Sequence, residues 1–274
     1  MLINNQEKLR AQYNPDGSDL RRAQLKMLDM LKFIDRVCQE QGITYWIESG
    51  TLLGAARHGG FIPWDDDTDI VMPYEEYLRF REYMLNNNPS DQYVLQCHKT
   101  DRHYYGTWGV LRDLKNQYVK NDQRLNSFEY QGLQVDIFPV DQKSRSYTLW
   151  RISRWIYAWL VQAPQHGGRF MRYLRWNIPF AYHFLSKAFV PLTHLLTPKD
   201  RQSFYYRYGM FWRRKYFKED IFPLQKIAFE NGLFPAPNHV DAYLTECYGD
   251  WHQIPPEEKR YNHQFRFKFS DRQE

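Results

Sequence analysis

Asp65-Asp66-Asp67-Thr68-Asp69 packs four carboxylates into five residues. Charges that dense repel one another, and a fold keeps them together where a divalent cation neutralises them; the usual substrate of such a cation is a phosphate. Asp67 and Asp69 stand two residues apart at the entrance to the apolar run Ile70-Val71-Met72. A strand beginning near Asp67 therefore places both side chains on one face. Upstream, Ser49-Gly50 reads as a turn, Thr51 to Arg57 as a helix, and Gly59-Gly60 as its stop. A helix that opens behind a glycine turn points free N–H groups and a positive dipole end forward, which makes a seat for an anion. Ser49, Gly50 and Thr51 form that seat. Arg57 is placed to neutralise phosphate charge, with an exposed helix-end arginine as the plainer reading. Trp64 is placed either to pack under the acidic turn or to touch a ligand.

A third carboxylate is Asp136, alone in the apolar run from Gly132 to Val140. A lone acid among Val, Ile and Phe is costly unless it meets a metal or a strong donor. Asp141 reads as a turn residue, and Asp65 and Asp66 admit the reading of a solvated acidic turn after Pro63. A calcium loop running from Asp65 to Glu76 is excluded, because its sixth position holds Ile70 where the sharp turn needs glycine.

Together, the Ser49-Gly50 turn, Asp67-Thr68-Asp69 and the later Asp136 resemble the LicD family of phosphotransferases, which has a nucleotidyltransferase fold and the fukutin-related proteins among its animal relatives. The order Ser-Gly, rather than Gly-Ser, is that of LicD-like sequences. Phe229-Glu230, Phe234-Pro235, Tyr243-Leu244, Tyr248-Gly249-Asp250-Trp251 and Pro255-Pro256 follow the family's closing pattern in order. The resemblance implies Mg²⁺ (or Mn²⁺) on Asp67, Asp69 and Asp136, with Asp136 as further ligand or as base. It implies that Ser49, Gly50, Thr51, Arg57 and Trp64 bind substrate. The implied reaction moves phosphocholine from CDP-choline to a sugar hydroxyl on a glycan or lipid-linked glycan, such as lipopolysaccharide, teichoic acid or capsule, and releases CMP. Rivals are transfer from another CDP-alcohol (ribitol, glycerol or ethanolamine), nucleotidyl transfer, and a catalytically idle membrane-binding module.

The elements that must position these residues are legible in the patterning. Ser18 caps a helix in which Leu20, Ala23, Met27, Leu31, Ile34 and Cys38 recur at threes and fours, and Gly42 ends it. Ile43–Ile47 reads as a strand. Pro73 opens a helix reaching about Asn86, and strands are expected at 93–97, 107–112 and 133–138. Helix and strand interleave, so the fold expected is α/β (α+β): by resemblance, a nucleotidyltransferase-like mixed sheet core flanked by helices, with a basic aromatic helical insertion.

That insertion defines the expected divisions: a core at 1–142, a helical subdomain at 143–218, and a segment at 219–274 that completes the core. From Lys143 to Lys218 there are fifteen Lys and Arg against one acid, Asp200, in a chain whose net charge is +5. The same stretch holds twenty Phe, Trp and Tyr, on helices expected at 149–162, 170–176 and 179–196. It carries no nucleic-acid recognition motif, and no nucleic-acid partner is expected. An anionic membrane surface suits it better, and a packed aromatic subdomain with solvated arginines is the alternative. Cys38, Cys97 and Cys247 are three, far apart and without a Cys-x-x-Cys, which suits a reducing compartment. Met1 to Glu7 lacks the regions of a signal peptide, and no run approaches the ~18 apolar residues of a spanning helix. The expectation is a cytoplasmic protein, peripheral on the inner face of the membrane.

Overall fold

A computed structural model describes residues 2–104, 106–119, 128–142, 151–152, 155, 184–189, 192, 195, 199–207, 210, 214–260 and 266–270. The three helices expected between 149 and 196 lie almost wholly outside them. Helix α1 (Leu2–Tyr13) leads into the long helix α2 (Asp19–Gln41). The Ser18 hydroxyl accepts from the Arg21 N–H at 3.2 Å, and Gly42 closes the helix in the left-handed conformation at φ 59°. Helix α2 buries Ala23, Met27, Leu28, Leu31, Ile34 and Val37. Each large aliphatic side chain among them contributes about 1.5–3 kcal/mol on full burial.

Strand β1 is shorter than expected, covering only Trp46–Ile47. Helix α3 (Ser49–His58), strand β2 (Asp69–Pro73), helix α4 (Tyr74–Asn87) and strands β3 (Tyr93–Gln96), β4 (Gly109–Val119) and β5 (Gly132–Asp141) follow. Later come β6 (Ser203–Tyr206), β7 (Lys215–Phe217), the one-turn helix α5 (Lys218–Ile221), the hairpin β8 (Gln225–Phe229) and β9 (Gly232–Ala236), helix α6 (Val240–Tyr248) and β10 (Arg266–Lys268). The main sheet runs β1-β2-β5-β4-β10, with β3 on β4 and with β6 on β5 and β7. Its strands are antiparallel except for the parallel pair β2 and β5. The mixed α/β sheet flanked by helices is the fold expected.

Strands β6 and β7 fall inside the stretch 143–218 and continue this sheet, while β10 brings the C-terminal segment onto β4. Asp141 is no turn residue: it ends β5 and takes an ion pair from Arg207 at 2.9 Å, where the arginine also lies 3.4 Å above the Tyr74 ring.

The two faces of the sheet differ. Ile70, Leu95, Leu111, Leu133, Val135 and Ile137 are buried in the core with α2 and α4. In-register pairs on the other face carry polar groups: Asp69 beside Asp136, and Arg112 beside Gln134. The tail is fastened by Arg21 of α2, which grips Glu230 with two parallel bonds of 2.9 and 2.6 Å. Glu230 in turn accepts the Phe61 N–H at 3.1 Å, so the hairpin holds the loop leading to the acidic run. No helix among the described residues is long and apolar enough to cross a membrane.

Candidate active site

Strand β1 delivers Glu48, and the chain then reverses into α3 through Ser49, which sits at φ 49°. A non-glycine residue in that region is uncommon and concentrates at functional turns. The first bond across the helix start is Leu52 N–H to Glu48 carbonyl at 3.1 Å, so the amides of Ser49, Gly50 and Thr51 precede the helix ladder. Gly50 is glycine for a steric reason. A Cβ there would meet Asp65 Oδ2 at 2.7 Å, with Asp67 Oδ1 at 3.9 Å. The turn therefore lies directly against the acidic run. Thr51 is buried and works inward, its hydroxyl accepting the Asp69 N–H at 2.8 Å.

On the sheet, Asp69 pairs in register with Asp136, whose N–H bonds the Thr68 carbonyl at 2.9 Å. Asp136 accepts the Trp108 indole N–H on Oδ1 at 2.6 Å and the Gln134 amide on Oδ2 at 2.8 Å. Burial, and then the negative charges of Asp67, Asp136, Asp65 and Glu48, push the Asp69 carboxyl well above the usual carboxylate range. Burial and then Asp67 do the same to Asp65, and the two carboxyl groups share a hydrogen bond. The solvated-turn reading fails for Asp66, which is completely buried, and Asp65 turns its carboxyl inward.

Among the described residues, no three His, Cys, Asp or Glu side chains already converge as ligands of one metal. The donor set nevertheless fits a hard divalent cation: oxygen atoms only, on carboxylates whose mutual repulsion raises their proton affinity. Asp67, Asp69 and Asp136 could hold such an ion, and Asp65 belongs to the same cluster.

The remaining expected residues have other partners. Arg57 donates to the Trp251 and Gln253 carbonyls at 2.9 and 3.1 Å, and through Nε to His58 Nε2 at 2.9 Å. It ties the end of α3 to the C-terminal segment. Trp64 is buried in an edge-on cluster with Tyr13 and His58, and Arg260 lies 5.5 Å from its ring centre.

Glu48 escaped the sequence reading. Its carboxylate is fully buried and accepts three tyrosine hydroxyls: Tyr206 and Tyr216 at 2.7 Å each, and Tyr243 by a shorter bond. Arg214 approaches to 4.0 Å. Burial raises the Glu48 proton affinity, and the three hydroxyls oppose the shift. The available signal was an acid directly after the apolar pair Trp46-Ile47 and before the glycine turn. Trp108 and Gln134 were also missed, since neither residue type marks a site by itself.

Residues 42–166 match the family described as LicD/FKTN/FKRP, nucleotidyltransferase domain. The chain is 27% identical over 254 residues to the lipopolysaccharide cholinephosphotransferase LicD of Haemophilus influenzae, covering 89% of this chain and 95% of that protein. Over 60 residues, 22% of this chain and 19% of the other, it is 43% identical to an uncharacterized protein of Rickettsia typhi. A shorter stretch of 45 residues is 47% identical to the ribitol 5-phosphate transferase FKRP of Homo sapiens, covering 16% of this chain and 9% of that one. Residues 42–166 thus carry a match to the LicD-type nucleotidyltransferase domain, and most of the chain is similar to a LicD phosphotransferase.

Proposed function

We propose that the protein transfers phosphocholine from CDP-choline to a sugar hydroxyl of a cell-surface glycan such as lipopolysaccharide, releasing CMP. The observation that carries this reading is the contact of the Ser49-Gly50 turn with the Asp65–Asp69 run, beside Asp136 on the next strand. Likeness over most of the chain to a lipopolysaccharide cholinephosphotransferase supports the choice of donor and acceptor. Asp67, Asp69 and Asp136 would hold Mg²⁺ or Mn²⁺, which supplies charge neutralisation at the donor pyrophosphate.

The turn amides of Ser49 and Gly50 receive phosphate oxygens at the positive end of α3. Arg57 secures the far end of the same helix to the C-terminal segment, which keeps the seat facing the carboxylates. The acceptor oxygen forms a bond to the choline-bearing phosphorus, the bond from that phosphorus to the CMP oxygen breaks, and the acceptor proton passes to a carboxylate. An ionised carboxylate only accepts, through two oxygens, which suits Asp136 as ligand or proton acceptor. Catalysis of this kind rests on positioning and electrostatics. A second reading, transfer of ribitol phosphate from a CDP-linked donor, draws on the stretch shared with FKRP.

Calorimetric titration with CDP-choline, CDP-ribitol and CTP in Mg²⁺, together with CMP release on adding glycan acceptor, separates these readings. Binding and turnover of CDP-choline are expected. Preference for CDP-ribitol would move the assignment to polyol phosphate, and binding of CTP alone would overturn both in favour of nucleotidyl transfer.

We further propose that the stretch 143–218 places the enzyme on the cytoplasmic face of an anionic membrane. Its charge and aromatic content support this, as do the exposed Ile152 and Trp155 among the described residues.

A further inference from the structure

We propose that Arg112 and Gln134 are positioning residues for Asp136. The inference rests on the reading of Asp136 as part of the reacting centre. It adds a buried cation, on the neighbouring strand β4, that sets how the Asp136 carboxylate is presented.

The observation is a polar chain crossing three strands. Asp101 accepts the backbone N–H groups of His103 and Glu129 at 2.8 and 2.9 Å. Gln96 donates to Asp101 at 2.7 Å and accepts Arg112 Nε at 2.7 Å. Arg112 Nη1 donates to the Gly132 carbonyl at 3.0 Å and to Gln134 Oε1 at 2.6 Å. Gln134 Nε2 then donates to Asp136 Oδ2 at 2.8 Å. Asp101, Gln96 and Arg112 are buried, at 1, 0 and 4% exposure, so water does not substitute for these partners.

Chemistry dictates the direction of the chain. A guanidinium only donates, so the Gln134 oxygen must face Arg112 and its NH₂ must face Asp136. The strand register supports the same geometry, because Arg112 lies opposite Gln134, two residues from Asp136 on the same sheet face. With Trp108 on Oδ1 and Gln134 on Oδ2, the plane of the carboxylate is determined. Partners of this outer kind hold a ligand or base in its working orientation.

Gln134→Glu tests positioning against simple structural support. The substitution keeps the side chain's size and its acceptor for Arg112, but replaces the donor facing Asp136 by a second acceptor. Arg112 gains a charged partner while Asp136 gains a like charge, so the melting temperature should change little. The Trp108 indole N–H resonance, assigned in ¹⁵N-tryptophan-labelled protein with Trp108→Phe, should shift as Asp136 turns. With the donor that wild type uses, kcat should fall by about 10–100-fold and KM should change by less than about threefold. Gln134→Met, which removes both hydrogen bonds, provides the same readouts if the glutamate variant does not fold. An unmoved indole resonance, or kcat at the wild-type level, would overturn the proposal. Failure of wild type to use any CDP-alcohol would defeat the functional reading, while the resonance would still decide the positioning.

Discussion

Asp69 and Asp136 stand directly opposite each other on neighbouring parallel strands, the one parallel pair in the described sheet. The two residues, each only 8% exposed, are held side by side on one sheet face by backbone pairing. Burial and then like charges, that of Asp136 among them, raise the proton affinity of Asp69, and the pair stabilises the fold less than uncharged residues would. Replacing either by Asn should lower turnover by about 100-fold or more, because a preorganised charge contact is lost. The melting temperature should stay level or rise for Asp69→Asn, whereas Asp136→Asn sets its amide NH₂ against one of two donors. Thermal melts and CMP release from the donor used by wild type check both parts. Full activity in Asp69→Asn would remove the cluster from the chemistry.

Glu48 should matter for stability through the groups it satisfies. Glu48→Ala strands the buried hydroxyls of Tyr206, Tyr216 and Tyr243 at once. Each unsatisfied buried group costs about 1–3 kcal/mol, so a loss of at least about 3 kcal/mol is expected in urea denaturation. Glu48→Gln keeps an acceptor and should lose less than half as much. Equal losses would show that packing volume, and not hydrogen bonding, sets the contribution of this residue.

His58 should make stability depend on pH. Its Nε2 accepts from Arg57 at 2.9 Å and its Nδ1 bonds Gln6 Oε1 at 2.6 Å, an arrangement that requires the neutral ring. Burial, and then the Arg57 charge, push its pKa down to about 3 from 6.5. A depressed histidine leaves the unfolded state holding the extra proton. Its contribution is therefore fully present above pH 6.5 and is lost as pH falls toward about 3. The slope from this one group is about 1.4 kcal/mol per pH unit. Chemical denaturation at pH 7, 6 and 5 should show a shallower loss in His58→Gln than in wild type. Parallel curves would assign the acid loss to other groups.

Membrane docking should be salt-sensitive. Each basic residue near an anionic surface contributes about 1 kcal/mol. Arg151 and Trp155 are exposed, while Arg154 and Trp159, the other expected contacts, lie outside the described residues. In liposome flotation, anionic vesicles should retain the protein at low salt and release it at high salt. Arg151→Glu/Arg154→Glu should weaken retention. Equal recovery with neutral vesicles would favour a basic subdomain that simply packs on the core.

Much of the architecture is legible along the chain because its causes are local. Ser18 and Gly42 bound α2, Gly59 stops α3 in the left-handed conformation, and the alternation through 132–140 marks a strand with one acid on its polar face. The grouping of Ser49-Gly50 with Asp67 and Asp69 is likewise a matter of short spacing. Strand β1 came out shorter than its β-branched content suggests, since only Trp46 and Ile47 find partners on β2.

What only the tertiary structure decided is which distant groups meet. Periodicity tells which face a side chain occupies, but not which strand lies beside it. It could not show that Asp136 faces Asp69, that three tyrosines from β6, β7 and α6 converge on Glu48, or that Arg57 turns to the carbonyls of Trp251 and Gln253. Nor could it show that Asp66 is buried while Asp65 turns in toward Gly50. Capping, turns and alternation act within a few residues, whereas long-range pairing depends on how the whole sheet and its helices close around one core.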